Sequence, residues 1–294
     1  MATVLHELLE LLQLEKIEET LFRGQSQDLG WGAVFGGQVL GQALSAAKQT
    51  VPENRLVHSL HGYFLRRGDA RLPIVYDVDC IRDGKSFTTR RVVAIQKGRA
   101  IFNLSASFQI EETGFEHAEP MPETPGPEGL VSQLERVRAR ASMIPSSVRD
   151  KFTAEKPIEI RVVDPPDPIK PGVKPPVRRA WFRATDTMPD DLRVNQYVLA
   201  YASDFSFLTT SLQPHGVTVF DPRMQVASLD HAMWFHRPFR MDEWLLYAIE
   251  SPVASGARGL VRGQWFSRDG RLVASTAQEG LIRWRGEGPP PSAG

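Results

Sequence analysis

Ser86-Phe-Thr-Thr-Arg-Arg-Val-Val-Ala-Ile-Gln96, then Lys97-Gly98, then Arg99-Ala-Ile-Phe-Asn-Leu-Ser-Ala-Ser-Phe-Gln-Ile110 reads as strand, tight turn, strand. β-Branched and aromatic residues are dense on both sides of the turn, as a pleated, half-buried surface requires. Gly98 offers the positive φ that a short hairpin demands. The layout returns 172 residues later as Ala257 to Ser267, turn Arg268-Asp269-Gly270, then Arg271 to Ile282. At that offset Gly84 falls on Gly256, Arg90 on Arg262, Gly98 on Gly270 and Arg99 on Arg271. Four identities alone would be weak, but the shared layout makes an internal duplication the better reading.

Upstream of each hairpin the spacing predicts one helix. The first, Gly37 to Lys48, carries Gly41, Ala43, Ala46 and Ala47 along its length, so its backbone can approach a neighbour closely. The second, Leu192 to Ser203, follows Pro189-Asp190-Asp191, which offers N-cap chemistry. Each half is thus a helix followed by antiparallel strands. The expected fold class is α+β, with two tandem units side by side, each a helix wrapped by a curved antiparallel sheet.

Between the halves the chain turns proline-rich, with 12 of its 22 prolines between Glu119 and Arg178. Leu130 to Arg140 looks helical, Pro157 to Val163 alternates like a strand, and Asp164 to Val177 should be extended and irregular. The expected division is a first unit over 1–112, a connector over 113–179 with a short helix and strand, a second unit over 180–285, and a disordered tail over 286–294.

The formal net charge is zero, with 35 basic and 35 acidic residues in 294, so no global field draws nucleic acid or an anionic membrane. A single cysteine, Cys80, excludes an intrachain disulfide and a cysteine zinc cluster. Its strand-like surroundings suggest a packed thiol. The amino-terminal run is interrupted by Glu7 and Glu10 at helical spacing and lacks a basic leader, so it reads as an amphipathic surface helix. No uninterrupted apolar stretch approaches 18 residues. A reducing-compartment, cytoplasmic protein without a membrane partner is expected.

Motifs that are missing narrow the chemistry. There is no Gly-x-Ser-x-Gly elbow, no Gly-x-Gly-x-x-Gly and no Walker loop. His58 and His61 lie three apart in a strand-like run, a step that points to opposite faces and speaks against a metal pair. Asp230-His231 suggests a dyad, yet adjacent strand residues also face opposite ways.

Seven blocks in order carry a family resemblance: Phe22-Arg-Gly-Gln-Ser26, Val34-Phe-Gly-Gly-Gln-Val39, His61-Gly-Tyr-Phe-Leu65, Pro189-Asp-Asp-Leu-Arg193, Tyr201-Ala-Ser-Asp204, Leu229-Asp-His-Ala-Met-Trp-Phe-His236 and Ala274-Ser-Thr-Ala-Gln-Glu-Gly280. Together they make the chain resemble the type II acyl-CoA thioesterases, the TesB-like double hot-dog enzymes, from about Leu5 to Arg283. The resemblance implies hydrolysis of medium- to long-chain fatty acyl-CoA by a water held between Asp204, Ser228 and Gln278, with no cofactor and no metal. In the family's pattern the middle position is Thr or Ser. Ser228 keeps the hydroxyl but lacks the threonine methyl that stiffens χ1.

All three residues fall in the second half. At the 172-residue offset Gln278 lands on Ala106, and an approximate helix alignment puts Asp204 among Ser45, Ala46 and Ala47. One site per chain is therefore expected, where the halves meet, with a backbone N–H near a helix start as a candidate oxyanion donor. The resemblance also implies a small-molecule acyl-CoA partner and a homo-oligomer, dimer or tetramer. Two other readings stay open. A hot-dog hydratase would need an acid–base His, and the helix ahead of Asp204 has none. A silent acyl-CoA binder would bind without turnover.

Overall fold

A computed structural model of the chain describes residues 3–30 and 32–291. The first half runs α1 (Val4–Leu12), β1 (Glu15–Lys16), β2 (Leu21–Gly24), α2 (Gly36–Gln49), β3 (Arg55–Phe64), β4 (Ile74–Asp83), β5 (Phe87–Gln96) and β6 (Arg99–Ile110). The intervening segment carries α3 (Gln133–Arg138), a 3-10 turn at Ala141–Met143, α4 (Ser146–Thr153) and β7 (Ile158–Val162). The second half follows as β8 (Val177–Ala184), α5 (Leu192–Ser203), a 3-10 stretch at Leu208–His215, β9 (Met224–Ser228), β10 (Asp230–Phe235), β11 (Leu245–Ser255), β12 (Arg258–Ser267) and β13 (Leu272–Trp284). Of the expected tail, residues 292–294 lie outside the described residues, and 286–291 form no helix or strand.

The strands form one antiparallel sheet in the order β1-β2-β4-β5-β6-β3-β10-β13-β12-β11-β8-β7, with β9 also on β13. The halves join where β3 meets β10, from Asp230 opposite Tyr63 to Trp234 opposite Ser59. The long helices α2 and α5 pack on each other on the concave side, and one core cluster draws residues from both halves. Every residue of α2 from Gly37 to Lys48 is buried, because sheet, α5 and α1 enclose it from all sides. The connector covers part of the outer face of the second half. Trp181, Trp244, Leu246 and Phe266 cluster there with Met121 and Leu130 against them, and the Trp181 indole donates to the Pro125 carbonyl at 2.8 Å.

The α2–α5 contact depends on Gly37. A Cβ there would lie 2.1 Å from the Tyr201 carbonyl oxygen, a backbone atom of the facing helix that cannot swing aside. Overpacking a well-filled core costs about 1–3 kcal/mol. Gly37→Ala should fall at the upper end of that range, read as a lower urea midpoint with unchanged slope. An unaltered midpoint would mean that the helices can part without penalty.

The duplication is real in layout, but its register is not a uniform 172. Trp265 pairs with Ala274 as Ala94 pairs with Phe102, so the offset is 171 in the first strand and 172 in the second. The second hairpin's turn is one residue longer. Arg90 consequently points inward and is buried, while Arg262 points to solvent. Its structural counterpart is Val261, which faces Gln278 as Arg90 faces Ala106.

Two further expectations are corrected. His58 and His61 share the outer face, because a β-bulge between Val57 and Ser59 inserts His58 as an extra residue. His58 reaches the Ser107 hydroxyl at 2.8 Å, and His61 stands edge-on to Trp234. Cys80 is exposed rather than packed, since β4 loses its burial alternation beyond Val78 and is bulged between Asp79 and Arg82.

Candidate active site

Asp204 is the C-cap of α5, where the chain leaves the helix near φ −85° and can turn a side chain across its end. That end abuts the start of α2. Phe35 caps α2 without a side-chain hydrogen bond, so the first-turn N–H groups of Gly36 and Gly37 remain free for other acceptors. The Gly37 N–H, the Gln278 amide and the Ser228 hydroxyl stand around the Asp204 carboxylate as hydrogen-bond donors and lower its pKa against the effect of burial. A side chain of the second half is thus held by the backbone of the first. Space for it exists because position 36 is glycine, where a Cβ would lie 2.6 Å from Asp204 Oδ2.

Ser228 and Gln278 come together through the sheet. Ser228 ends β9, opposite Gly280 of β13. At Leu229 the chain breaks, and β10 continues on a path that pairs with both β13 and β3. The Asp230 carboxylate bridges the break by accepting from the Glu279 N–H at 2.6 Å. Gln278 points inward from β13 and is buried, with its amide nitrogen 2.8 Å from Ser228 Oγ. The three residues named from the sequence therefore form one hydrogen-bonded group.

Burial is the largest influence on Asp204 and raises its carboxyl to about 6. The three hydrogen bonds oppose that rise but do not cancel it. The residue as a whole is half-buried, so burial acts mainly on its carboxyl end. A carboxylate of this kind is a stronger base than an exposed one and is still ionised at neutral pH.

The sequence reading missed three contributors. Gly36 and Gly37 were visible only as part of a motif, with nothing to say that the first half's helix start faces the second half's carboxylate. In the sequence His231 reads only as the neighbour of Asp230 on the opposite strand face. The strands do send those two side chains to opposite faces, but His231 lands inside, 2.6 Å from Gln278 Oε1 through Nδ1 and 3.0 Å from Ser203 Oγ through Nε2. Burial pushes its pKa down to about 4, so the ring is neutral at pH 7. The register that pairs Ala232 with Ala277 puts it opposite Gln278. A histidine does reach the site, then, from a strand. It does not make the acid–base pair of a hydratase, because it is buried and both ring nitrogens are occupied.

The first half has no equivalent group. Ala106 stands where Gln278 does, and Val57, opposite Phe108, stands where Ser228 does. Matched at their C-caps, α2 and α5 put Thr50, not Ser45 to Ala47, at the place of Asp204. The buried Arg90 guanidinium fills the corresponding space and donates to the Thr50 hydroxyl at 2.8 Å and its carbonyl at 2.9 Å.

Aromatic rings cluster beside Asp204 and Gly36. Phe35 lies 4.4 Å from Phe205 and edge-on to Tyr201, and Phe64 packs beside Gly36 and on Phe102. Among the described residues no cluster of three His, Cys, Asp or Glu could hold a metal, and no helix is long and apolar enough to cross a membrane.

Known proteins resemble this chain over nearly its whole length. Residues 26–109 match the model of the acyl-CoA thioesterase N-terminal domain, and 147–281 match the acyl-CoA thioesterase model. Acyl-CoA thioesterase 2 of Haemophilus influenzae is 46% identical over 284 residues, covering 97% of this chain and 99% of that one. The chain belongs to the acyl-CoA thioesterase family. Among solved structures of the thioesterases, the acyl-CoA thioesterase II TesB2 of Mycobacterium marinum is 40% identical at a TM-score of 0.76, covering 94% of this chain and 98% of that one. A hot-dog protein of unknown function from Alicyclobacillus acidocaldarius, 19% identical, shares the fold at a TM-score of 0.75, covering 95% and 98% of the two chains. The chain is accordingly a tandem hot-dog thioesterase of the TesB type.

Proposed function

We propose that this thioesterase hydrolyses medium- to long-chain fatty acyl-CoA to free fatty acid and coenzyme A, using a water that Asp204, Ser228 and Gln278 hold and activate. The observation that carries the reading is the convergence of a buried, basic carboxylate with a hydroxyl and an amide at the junction of the halves. Asp204 takes a proton as the water attacks the thioester carbonyl. The carbon–oxygen bond forms, negative charge develops on the carbonyl oxygen, and the positive end of α2 faces that charge. As the intermediate collapses the carbon–sulfur bond breaks, and Asp204 returns the proton to the departing thiolate. Ser228 and Gln278 fix the water so that the attack is in effect unimolecular.

Phe35, Phe64 and Phe205 support the acyl preference, since an alkyl chain beside them leaves water at about 0.8 kcal/mol per methylene. In this proposal the second unit, residues 180–285, carries the reaction, while the first, 1–112, contributes the start of α2. The chains assemble as a dimer or tetramer in a reducing, cytoplasmic setting, consistent with one exposed cysteine and with sheet edges at β1 and β7. Light scattering on a sizing column tests the assembly, and a monomer would remove that part.

Thiol release from acyl-CoA of several chain lengths, followed with a thiol-reactive dye, tests the activity. Turnover rising with chain length is expected. Tight binding without release would make the chain a silent acyl-CoA binder instead. The pH profile follows from the base. Only ionised Asp204 accepts the proton, so kcat/KM should be flat above pH 7 and fall about tenfold per unit below pH 6. A profile flat down to pH 4.5 would exclude a base with this environment.

A further inference from the structure

The reaction just described gives no task to His231, although both its ring nitrogens are engaged at the site. Nδ1 lies 2.6 Å from Gln278 Oε1 and Nε2 lies 3.0 Å from Ser203 Oγ. On its other side Gln278 donates from its amide nitrogen to Ser228 Oγ at 2.8 Å and to Asp204. A primary amide has one accepting oxygen and one donating nitrogen. With the nitrogen committed to Ser228 and Asp204, the oxygen must face the ring, and the ring must donate to it. Nδ1 then carries the proton, and Nε2 accepts from the Ser203 hydroxyl, whose single hydrogen turns to the ring and away from the Ala200 carbonyl 2.9 Å from it.

We infer that His231 is a positioning residue, which as its Nδ1–H tautomer clamps the carbonyl of Gln278 and keeps the amide N–H groups turned toward Asp204 and Ser228. The inference rests on the assignment of Asp204, Ser228 and Gln278 to the water-holding site. The competing arrangement is equally self-consistent at the ring. There Nε2–H donates to Ser203 Oγ, whose own hydroxyl donates to the Ala200 carbonyl at 2.9 Å, and a flipped Gln278 donates to Nδ1. That flip would turn the amide oxygen onto the Asp204 carboxylate, two acceptors face to face. Ionised Asp204 therefore selects the clamped state, and the clamp in turn supplies Asp204 with a donor. Among the described residues no other charge acts on Asp204. The Tyr247 phenol from β11 is held neutral by burial and donates to or accepts from Thr276 of β13, α2 presents the Gly37 N–H, and His231 meets Phe207 edge to face.

The test compares wild type, His231→Leu, His231→Asn, Gln278→Ala and the double variant His231→Leu/Gln278→Ala by kcat and KM between pH 5 and 9. Circular dichroism establishes folding, and 15N spectra of the wild-type imidazole at pH 8 report the tautomer. Losing an outer hydrogen bond that orients a working side chain should lower kcat in His231→Leu by roughly ten- to a hundredfold, with KM nearly unchanged. The acid limb should move upward, because Asp204 loses a hydrogen bond that lowers its pKa. His231→Asn, whose amide nitrogen can sit near the place of Nδ1, should recover most of kcat. The double variant should be no slower than Gln278→Ala. A purely structural role would lower yield and stability without moving the limb.

An unchanged kcat and limb in folded His231→Leu would overturn the clamp, as would an Nε2–H tautomer in the wild type. Should His231→Leu fail to fold, the tautomer and the Asn variant decide. Full turnover by Gln278→Ala would instead remove the water-holding assignment on which the clamp depends.

Discussion

Asp204→Asn lowers kcat by about two to four orders of magnitude at pH 8, the loss typical of removing a general base. Asn keeps the shape and one accepting oxygen for the Gly37 N–H and Ser228, but cannot take the water's proton. Thiol release beside unchanged acyl-CoA binding is the measurement, and equal rates in both proteins would take Asp204 out of the mechanism. The same variant carries a stability signature whose sign follows from the raised pKa. Native Asp204 titrates at about 6 and the unfolded carboxyl near 3.8, so between those values the folded chain binds more protons. Its contribution is present in full below about pH 4 and is lost as pH rises through 6, a cost of about 3 kcal/mol. Asp204→Asn escapes that cost and should melt no lower than wild type at pH 8. A base held in a dry place is thus a standing burden on the fold.

Gly36→Ala is expected to lower kcat by about a hundredfold with the chain still folded, the scale on which a misplacement of an ångström acts. The added Cβ would lie 2.6 Å from Asp204 Oδ2 and about as close to the Phe64 ring, at 3.0 Å, so either the carboxylate or the aromatic wall must move. The substitution lies more than 150 residues from Asp204 in sequence and removes no titratable group. Its signature is therefore a drop in kcat with the acid limb little displaced, unlike that of His231→Leu. Wild-type rates from a folded Gly36→Ala protein would mean that the first half's helix start does not confine the base.

The hairpins were legible because each satisfies several local rules together: alternation, β-branched content and a turn glycine. One helix was legible from its cap at Asp190-Asp191, the other from the small residues along it. What escaped was register. A two-residue turn against a three-residue one moved Arg90 from apparent equivalence with Arg262 to Val261, and a single extra residue at His58 brought two histidines to one face. Strand parity can be guessed from a sequence, but a bulge reverses it, and bulges leave little local signal. The same limit applies at the site. Asp204, Ser228 and Gln278 were named through a family resemblance, whereas from local sequence each looked like an ordinary cap or strand residue. Parity separates His231 from Asp230, but only the β10–β13 register reveals that it sits across from Gln278. Gly36 and Gly37 belong to a contact between halves that no local pattern encodes.

The seam between β3 and β10 has a kinetic meaning beyond architecture. Because one chain supplies both partners of that seam, they meet at an effective concentration set by the tether rather than by how much protein is present. The carboxylate and the helix start that holds it therefore stay together at any dilution, and turnover per chain should not decline as the enzyme is thinned, even where larger assemblies come apart. A cell making only a few copies of this chain would have each one fully competent.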